Sequence, residues 1–294
     1  MRTRIAEEFP QYRPRLEADM IRIHQSVSGA ENVQPFDLTD RGLLLADGLF
    51  DTSRVVGGRI ILMRAHLARL TGDAAALGIE VTPEALEALA GEAVPGGAEG
   101  ALRLTVTRGP GGRGLAGETA GAPTLMARFS PMEMPYPMPP VRLGISAIRR
   151  NSTSPTARHK TLSYTDNIMA LREVVAAGHE EALLLSPDGK VACASAANVF
   201  ARFGNRLVTP PVSDGAMPGI VRGWLLQAAI GAGFETAEES LTPDRLTQAD
   251  GIFLTNSLRI FQPVSTFAGR SLDTSLPPAL IQLGHALLEG AFDD

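Results

Sequence analysis

Arg158-His159-Lys160-Thr161-Leu162-Ser163-Tyr164 carries a single amine four residues before a phenol, and Asp166 and Asn167 open a helical pattern just beyond it. The residues upstream read as a strand that ends at Lys160, which places the amine at an element terminus, where binding sites form on a rigid scaffold. Lysine is a flexible, strongly hydrated point charge, and one made neutral by desolvation or nearby positive charge attacks aldehydes and holds them as Schiff bases. An isolated lysine is almost always a solvated surface charge. The reading therefore rests on what surrounds it.

Downstream, 166–177 reads as a helix closed by Gly178, 182–185 as a buried strand, and Pro187-Asp188-Gly189 as a turn. Strand patterns follow at 190–194 and 199–203, and Gly204-Asn205 turns the chain back into 206–209. Helices are expected at 220–232, 243–248 and 278–288, with a strand at 252–255. Upstream, apolar runs at 50–56 and 59–63 flank Gly57-Gly58, a pair suited to a tight hairpin, and a helix begins near Arg64. Thr82-Pro83 is a capped helix start, and 101–107 returns to strand. Prolines at 131, 135, 137, 139 and 140 resist both helix and central sheet. These patterns imply a mixed α/β (α+β) chain in two domains: an arm over 1–22 with the first strand near 21–26, a small α/β domain over 23–130, a linker over 131–141, and a larger domain over 142–294 rich in antiparallel pairing.

A net charge of −5 with dispersed basic residues gives no positive patch for nucleic acid or an acidic membrane. Glu7 and Glu8 interrupt what a secretion signal would need, and no run approaches membrane-spanning length. One cysteine, Cys193, excludes an internal disulfide, and five scattered histidines suggest no metal site. A soluble, cytoplasmic protein acting on a small molecule is expected.

The segment 210–222 runs from a strand end through a glycine-containing loop into a helix, so the amides of Gly219, Ile220 and Val221 can hold a phosphate at the helix N-terminus. Thr255-Asn256-Ser257 ends a second strand and can add a hydroxyl to the same anion. Arg108-Gly109-Pro110-Gly111-Gly112-Arg113-Gly114 matches no nucleotide-binding spacing and reads as a flexible loop whose arginine can grip a carboxylate at two points.

Together these residues resemble the class IV aminotransferases, the pyridoxal-phosphate enzymes of fold type IV that include branched-chain and D-amino-acid aminotransferases and aminodeoxychorismate lyase. The resemblance spans about 40–264 and is carried by Asp40-Arg41-Gly42, Ala46 to Thr52, His66-Leu67-Ala68-Arg69-Leu70, Lys160 to Asn167, Ala194 to Phe200, and Pro218-Gly219-Ile220. It implies a homodimer with pyridoxal 5′-phosphate in the cleft between two domains. By the same resemblance Lys160 forms the Schiff base and moves the proton at the reacting carbon, and Tyr164 bonds the cofactor's ring oxygen. Arg69, the amides of Ile220 and Val221, and Ser257 bind its phosphate, and Cys193, Asn198 and Gly219 belong to the same cofactor site. Arg113 and Arg259 are the candidates for a substrate carboxylate.

The chain departs from that pattern at three places. Leu115 stands where the D-amino-acid enzymes carry a histidine, and Val221 replaces a threonine, at a cost of about 1 kcal/mol for one lost hydrogen bond to phosphate. Cys193 lies five residues before Asn198, where the family carries a glutamate facing the pyridine nitrogen. A thiol of pKa about 8.5 is a weak substitute for a carboxylate that keeps the ring protonated. The electron sink is then poorer, which favours a reaction that expels a leaving group at once. Aminodeoxychorismate-lyase-type elimination of pyruvate is the leading reading. Transamination of a D- or branched-chain amino acid with a 2-oxo acid is the alternative, and a weakly active cofactor-binding homologue is the third.

Overall fold

A computed structural model of the chain describes residues 20–27, 30–116 and 121–292. Most of the arm expected over 1–22 therefore lies outside the described residues. β1 (Met20–Val27) and β2 (Ala30–Asp37) pair antiparallel. The one-turn helix α1 (Arg41–Leu45) leads into β3 (Gly48–Val56), and β4 (Arg59–Ile60) returns beside it. Gly57 and Gly58 both take positive φ, at 59° and 80°, as a hairpin of this hand requires.

Two helices follow, α2 (Met63–Ala76) and α3 (Pro83–Ala93), the second capped by the Thr82 hydroxyl, which accepts from the Ala85 amide. β5 (Gly100–Thr107) and β6 (Thr124–Pro131) complete a four-stranded sheet in the order β4-β3-β5-β6. Its core of Leu49, Val55, Leu67, Leu70, Leu86, Leu102 and Val106 lies against α2 and α3.

The proline-rich stretch carries the chain from this sheet to β7 (Val141–Arg149). The short helix α4 (Pro155–Arg158) and α5 (Thr165–Ala176) precede β8 (Glu181–Leu185), β9 (Val191–Ala194), β10 (Asn198–Phe203) and β11 (Arg206–Thr209). Then come α6 (Ile220–Gly231), β12 (Glu235–Glu238), α7 (Pro243–Leu246), β13 (Gly251–Thr255), β14 (Gln262–Phe267), β15 (Arg270–Ser271) and α8 (Pro278–Glu289). These strands form a nine-stranded sheet in the order β12-β11-β10-β13-β14-β7-β8-β9, with β15 on β14. Five of its pairings are antiparallel and three parallel.

Alternation along the strands assigns the two faces of this sheet. Leu183, Leu185, Val199, Ala201, Ile252 and Leu254 share one core, while Phe200, Leu207 and Phe253 point the other way beneath α6 and α8. Ala182, Leu184, Ala192 and Cys193 pack under α5. Strands buried on both faces read in sequence as unbroken apolar runs.

Tyr136 docks the proline-rich stretch onto α8. Its hydroxyl donates to the carbonyls of Leu280 and Ile281 at 3.3 Å each, and its ring meets His285 edge-on at 4.9 Å. Gly284 makes the room, since a Cβ there would sit 1.8 Å from the Tyr136 hydroxyl. Gly284→Ala should destabilise the fold by about 1–3 kcal/mol, because overpacking displaces that ring. A lowered thermal midpoint, relative to a control alanine at exposed Gly91, is the expected result.

Candidate active site

Lys160 does not follow a strand. Ser154 caps α4 and Pro155 fills its first helical position, so the residues before Lys160 turn into a helix instead. The lysine then lies in a short extended stretch against β3, bridged at Leu49 and Thr161. The Phe50 amide donates to the Lys160 carbonyl at 3.0 Å, and the Leu162 amide to the Gly48 carbonyl at 2.9 Å. On its other side the Lys160 amide donates to Asp73 Oδ2 at 3.0 Å, while Asp73 Oδ1 bonds His159 Nδ1 at 2.8 Å. The side-chain amine donates to the Tyr164 hydroxyl at 2.9 Å and lies 4.4 Å from the centre of the Phe50 ring. Phe50 and Tyr164 meet edge to face at 4.9 Å.

Lys160 and Tyr164 line a cavity of about 200 Å³. Another part of its wall is the start of α6, with Gly219, Ile220 and Val221. No side chain caps this helix, so its first amides and the positive end of its dipole are offered to the cavity. Gly219 is required here, since a Cβ would fall 2.0 Å from Asn198 Oδ1. Asn198 in turn donates to the Met217 carbonyl at 2.8 Å and so shapes the approach to the helix. Thr255 and Ser257 share this lining, and the Thr255 hydroxyl is buried with no hydrogen-bond partner of its own.

Arg69 also lines the cavity. Its Nε donates to Asp51 Oδ2 at 2.9 Å and its Nη2 to Asp51 Oδ1 at 2.8 Å, a two-point pairing that fixes the plane of the guanidinium. His66 Nδ1 bonds the same carboxylate at 2.7 Å. Burial pushes the Asp51 carboxyl up, but His66 and Arg69 outweigh it and bring its pKa from 3.8 down to about 2.

The lining also includes Arg150, Asn167 and Cys193. Burial raises the Cys193 thiol above its ordinary pKa, against an opposing pull from Arg150, while Glu181 adds to the rise. Two expected residues lie elsewhere. Arg113 is exposed on its loop, and Arg259 donates to Glu181 at 2.7 Å and to Gln262 at 3.0 Å. Neither lines the cavity. Asp51 lies inside one motif and His159 inside the stretch around Lys160, whereas Asp73 and Arg150 lie outside every motif; Asp73 acts through His159, 86 residues away.

The family model of the class IV amino-transferases matches residues 48–267. The chain belongs to that family. An aminodeoxychorismate lyase of Bacillus subtilis is 30% identical over 235 residues, covering 77% of this chain and 78% of its own. A D-alanine aminotransferase of Bacillus licheniformis is 29% identical over 260 residues, covering 87% and 91%. The pyridoxal-phosphate-bound structure of a hypothetical aminotransferase from Mycobacterium tuberculosis superposes with a TM-score of 0.76 at 26% identity, covering 88% of this chain and 96% of its own.

Class IV aminotransferases are pyridoxal-phosphate enzymes, and this chain is one. The cavity fits that cofactor. A phosphate dianion needs N–H and O–H donors with positive charge, and the α6 amides, Thr255, Ser257 and Arg69 supply them together. The Thr255 hydroxyl, buried without a partner, is a donor such a phosphate could use, and an aldehyde needs an amine such as Lys160.

Because the folded-state pKa of Asp51 is depressed, its contribution is complete above about pH 4 and fades as pH falls towards about 2. Its loss amounts to about 2 kcal/mol. In urea titrations of the cofactor-free protein, the stability gap between wild type and Asp51→Asn should be constant near neutrality and shrink on acidification below about pH 4. A gap independent of pH would contradict this origin.

Proposed function

We propose that the chain is an aminodeoxychorismate-lyase-type enzyme, eliminating pyruvate from an amino substrate held on pyridoxal phosphate at Lys160. The observation that carries this reading is the Lys160 amine, bonded to Tyr164 at 2.9 Å, in one cavity with an uncapped helix N-terminus. Bound there, the cofactor supplies an aldehyde that condenses with amines and a ring that withdraws electrons from the attached carbon.

Arg69, the amides of Ile220 and Val221, and the Thr255 and Ser257 hydroxyls hold the phosphate. Asp51 keeps Arg69 in plane, and Tyr164 holds the ring oxygen. Lys160 would hold the aldehyde before the substrate amine takes its place, and its Nζ, then free, would remove the proton from the carbon bearing that amine. The bond between the ring carbon and the ether oxygen would break, the oxygen leaving with the enolpyruvyl group; Lys160 would return the proton to that group's methylene carbon, and pyruvate would leave behind an aromatic amine. Asp73 and β3 fix the lysine backbone, so only the side chain travels.

The neutral thiol at Cys193 favours this outcome over transamination, because a weak electron sink is best served by a leaving group that departs at once. Transamination is the second reading, supported by the D-alanine aminotransferase relative. The two sheets are read as two domains joined at 131–141. Exposed Leu43, Leu44, Ile168 and Met169 supply apolar surface for a homodimer, the form expected of a cytoplasmic member of this family.

Borohydride reduction of protein incubated with pyridoxal phosphate should fix the cofactor on the peptide containing Lys160, and Lys160→Ala should lose both the label and turnover. A lyase releases pyruvate with little change in the cofactor's spectrum. Rapid conversion of the cofactor to its amine form by D-alanine or branched-chain amino acids would instead establish transamination.

A further inference from the structure

Pyridoxal phosphate has four polar features: a phosphate arm, an aldehyde, a phenolic oxygen and a ring nitrogen. The nitrogen lies across the ring from the carbon that bears the aldehyde. With the phosphate at α6 and the aldehyde and phenolic oxygen at Lys160 and Tyr164, the nitrogen would be left to the part of the lining that holds Arg150, Asn167 and Cys193.

The side chains of this wall are unequally occupied. Asn167 donates to the Ser195 carbonyl at 2.6 Å. Arg150, 7% exposed, donates through Nη2 to the Thr156 carbonyl at 2.8 Å and through Nη1 to Asn167 Oδ1 at a long 3.5 Å. Its Nε is buried with no partner, and no carboxylate pairs with this guanidinium among the described residues. A buried cation without a counter-ion is costly, so its retention calls for an acceptor that arrives with a ligand. Arg222 also has an orphan Nε, but it sits in the first turn of α6 and binds Pro210 and Glu238.

We infer that Arg150, beside Cys193, holds the cofactor's ring nitrogen in its unprotonated form, an assignment that rests on the pyridoxal-phosphate reading of this cavity. A pyridine lone pair accepts an N–H bond. A pyridinium N–H would face a guanidinium and a thiol, since the nearest carboxylate, Glu181, does not line the cavity and is taken up by Arg259 and the Ser195 amide; like charge at close range disfavours protonation. Burial keeps the Cys193 thiol neutral despite its arginine neighbour, so it supplies no compensating charge. Arg150 is thus a determinant of reaction type: it weakens the ring as an electron sink and leaves the proton work to Lys160.

Nitrogen NMR of holoenzyme carrying ring-¹⁵N cofactor reads this state directly, without turnover. The wild-type signal should lie at the neutral-pyridine position across the neutral pH range. Cys193→Glu should move it to the pyridinium position, and Arg150→Met should raise the midpoint of ring protonation by about one pH unit or more, while Arg150→Lys keeps it near wild type. A pyridinium signal in the wild-type holoenzyme at neutral pH, or an unmoved midpoint in Arg150→Met, overturns the inference. Because the wild-type signal alone decides the protonation state, a variant that fails to fold leaves that result standing. Failure to take up the cofactor at all would instead overturn the reading on which the inference rests.

Discussion

The extended stretch around Lys160 is held from two sides by residues far away in sequence, and the geometry of the cavity follows from that. Its carbonyl and the amide two residues on are tied to β3, and its own amide is tied to Asp73 on α2. The four-stranded sheet thereby fixes where the amine emerges, although the rest of the cavity is built largely by the nine-stranded sheet and α6. A lysine side chain has ample rotamer freedom of its own. A fixed backbone beneath it converts that freedom into a defined arc.

Charge in the site is arranged so that each cation is either matched within the protein or left for the cofactor. Arg69 is matched by Asp51, which itself leans on His66. The amides at the start of α6, the orphan Thr255 hydroxyl and the Nε of Arg150 are not matched. Unmatched donors in a buried wall are destabilising. Their grouping around one cavity is therefore what a polar, anionic ligand would select.

Much of this was legible in the sequence where the cause is local. Gly57-Gly58, Thr82-Pro83 and the Pro-Gly-Ile helix start depend on residues adjacent along the chain, and the hairpin and helices lie where those residues place them. The strand expected before Lys160 was displaced by Ser154-Pro155, a cap that outweighs the extended pattern. β6 passed unnoticed because it is half exposed and lacks a clear alternation. Asp73, His159 and Arg150 have no local signature at all: Asp73 meets His159 across 86 residues. The carboxylate role expected of Arg113 rests on its glycine-rich loop as well as on resemblance and that of Arg259 on resemblance alone, and in this chain Arg259 braces Glu181, a buried carboxylate that also receives the Ser195 amide at 3.1 Å.

Arg41 shows how a loop without regular structure keeps its form. Buried beneath 112–115, it donates to the carbonyls of Gly114 and Leu115 at 2.9 Å each and pairs with Asp47 at 2.9 Å. Within the loop only main-chain oxygens are gripped, so the outward side chains of Arg113 and Leu115 carry none of the load. Substitutions among these outward side chains can therefore change the chemistry of that surface while the loop's path stays put.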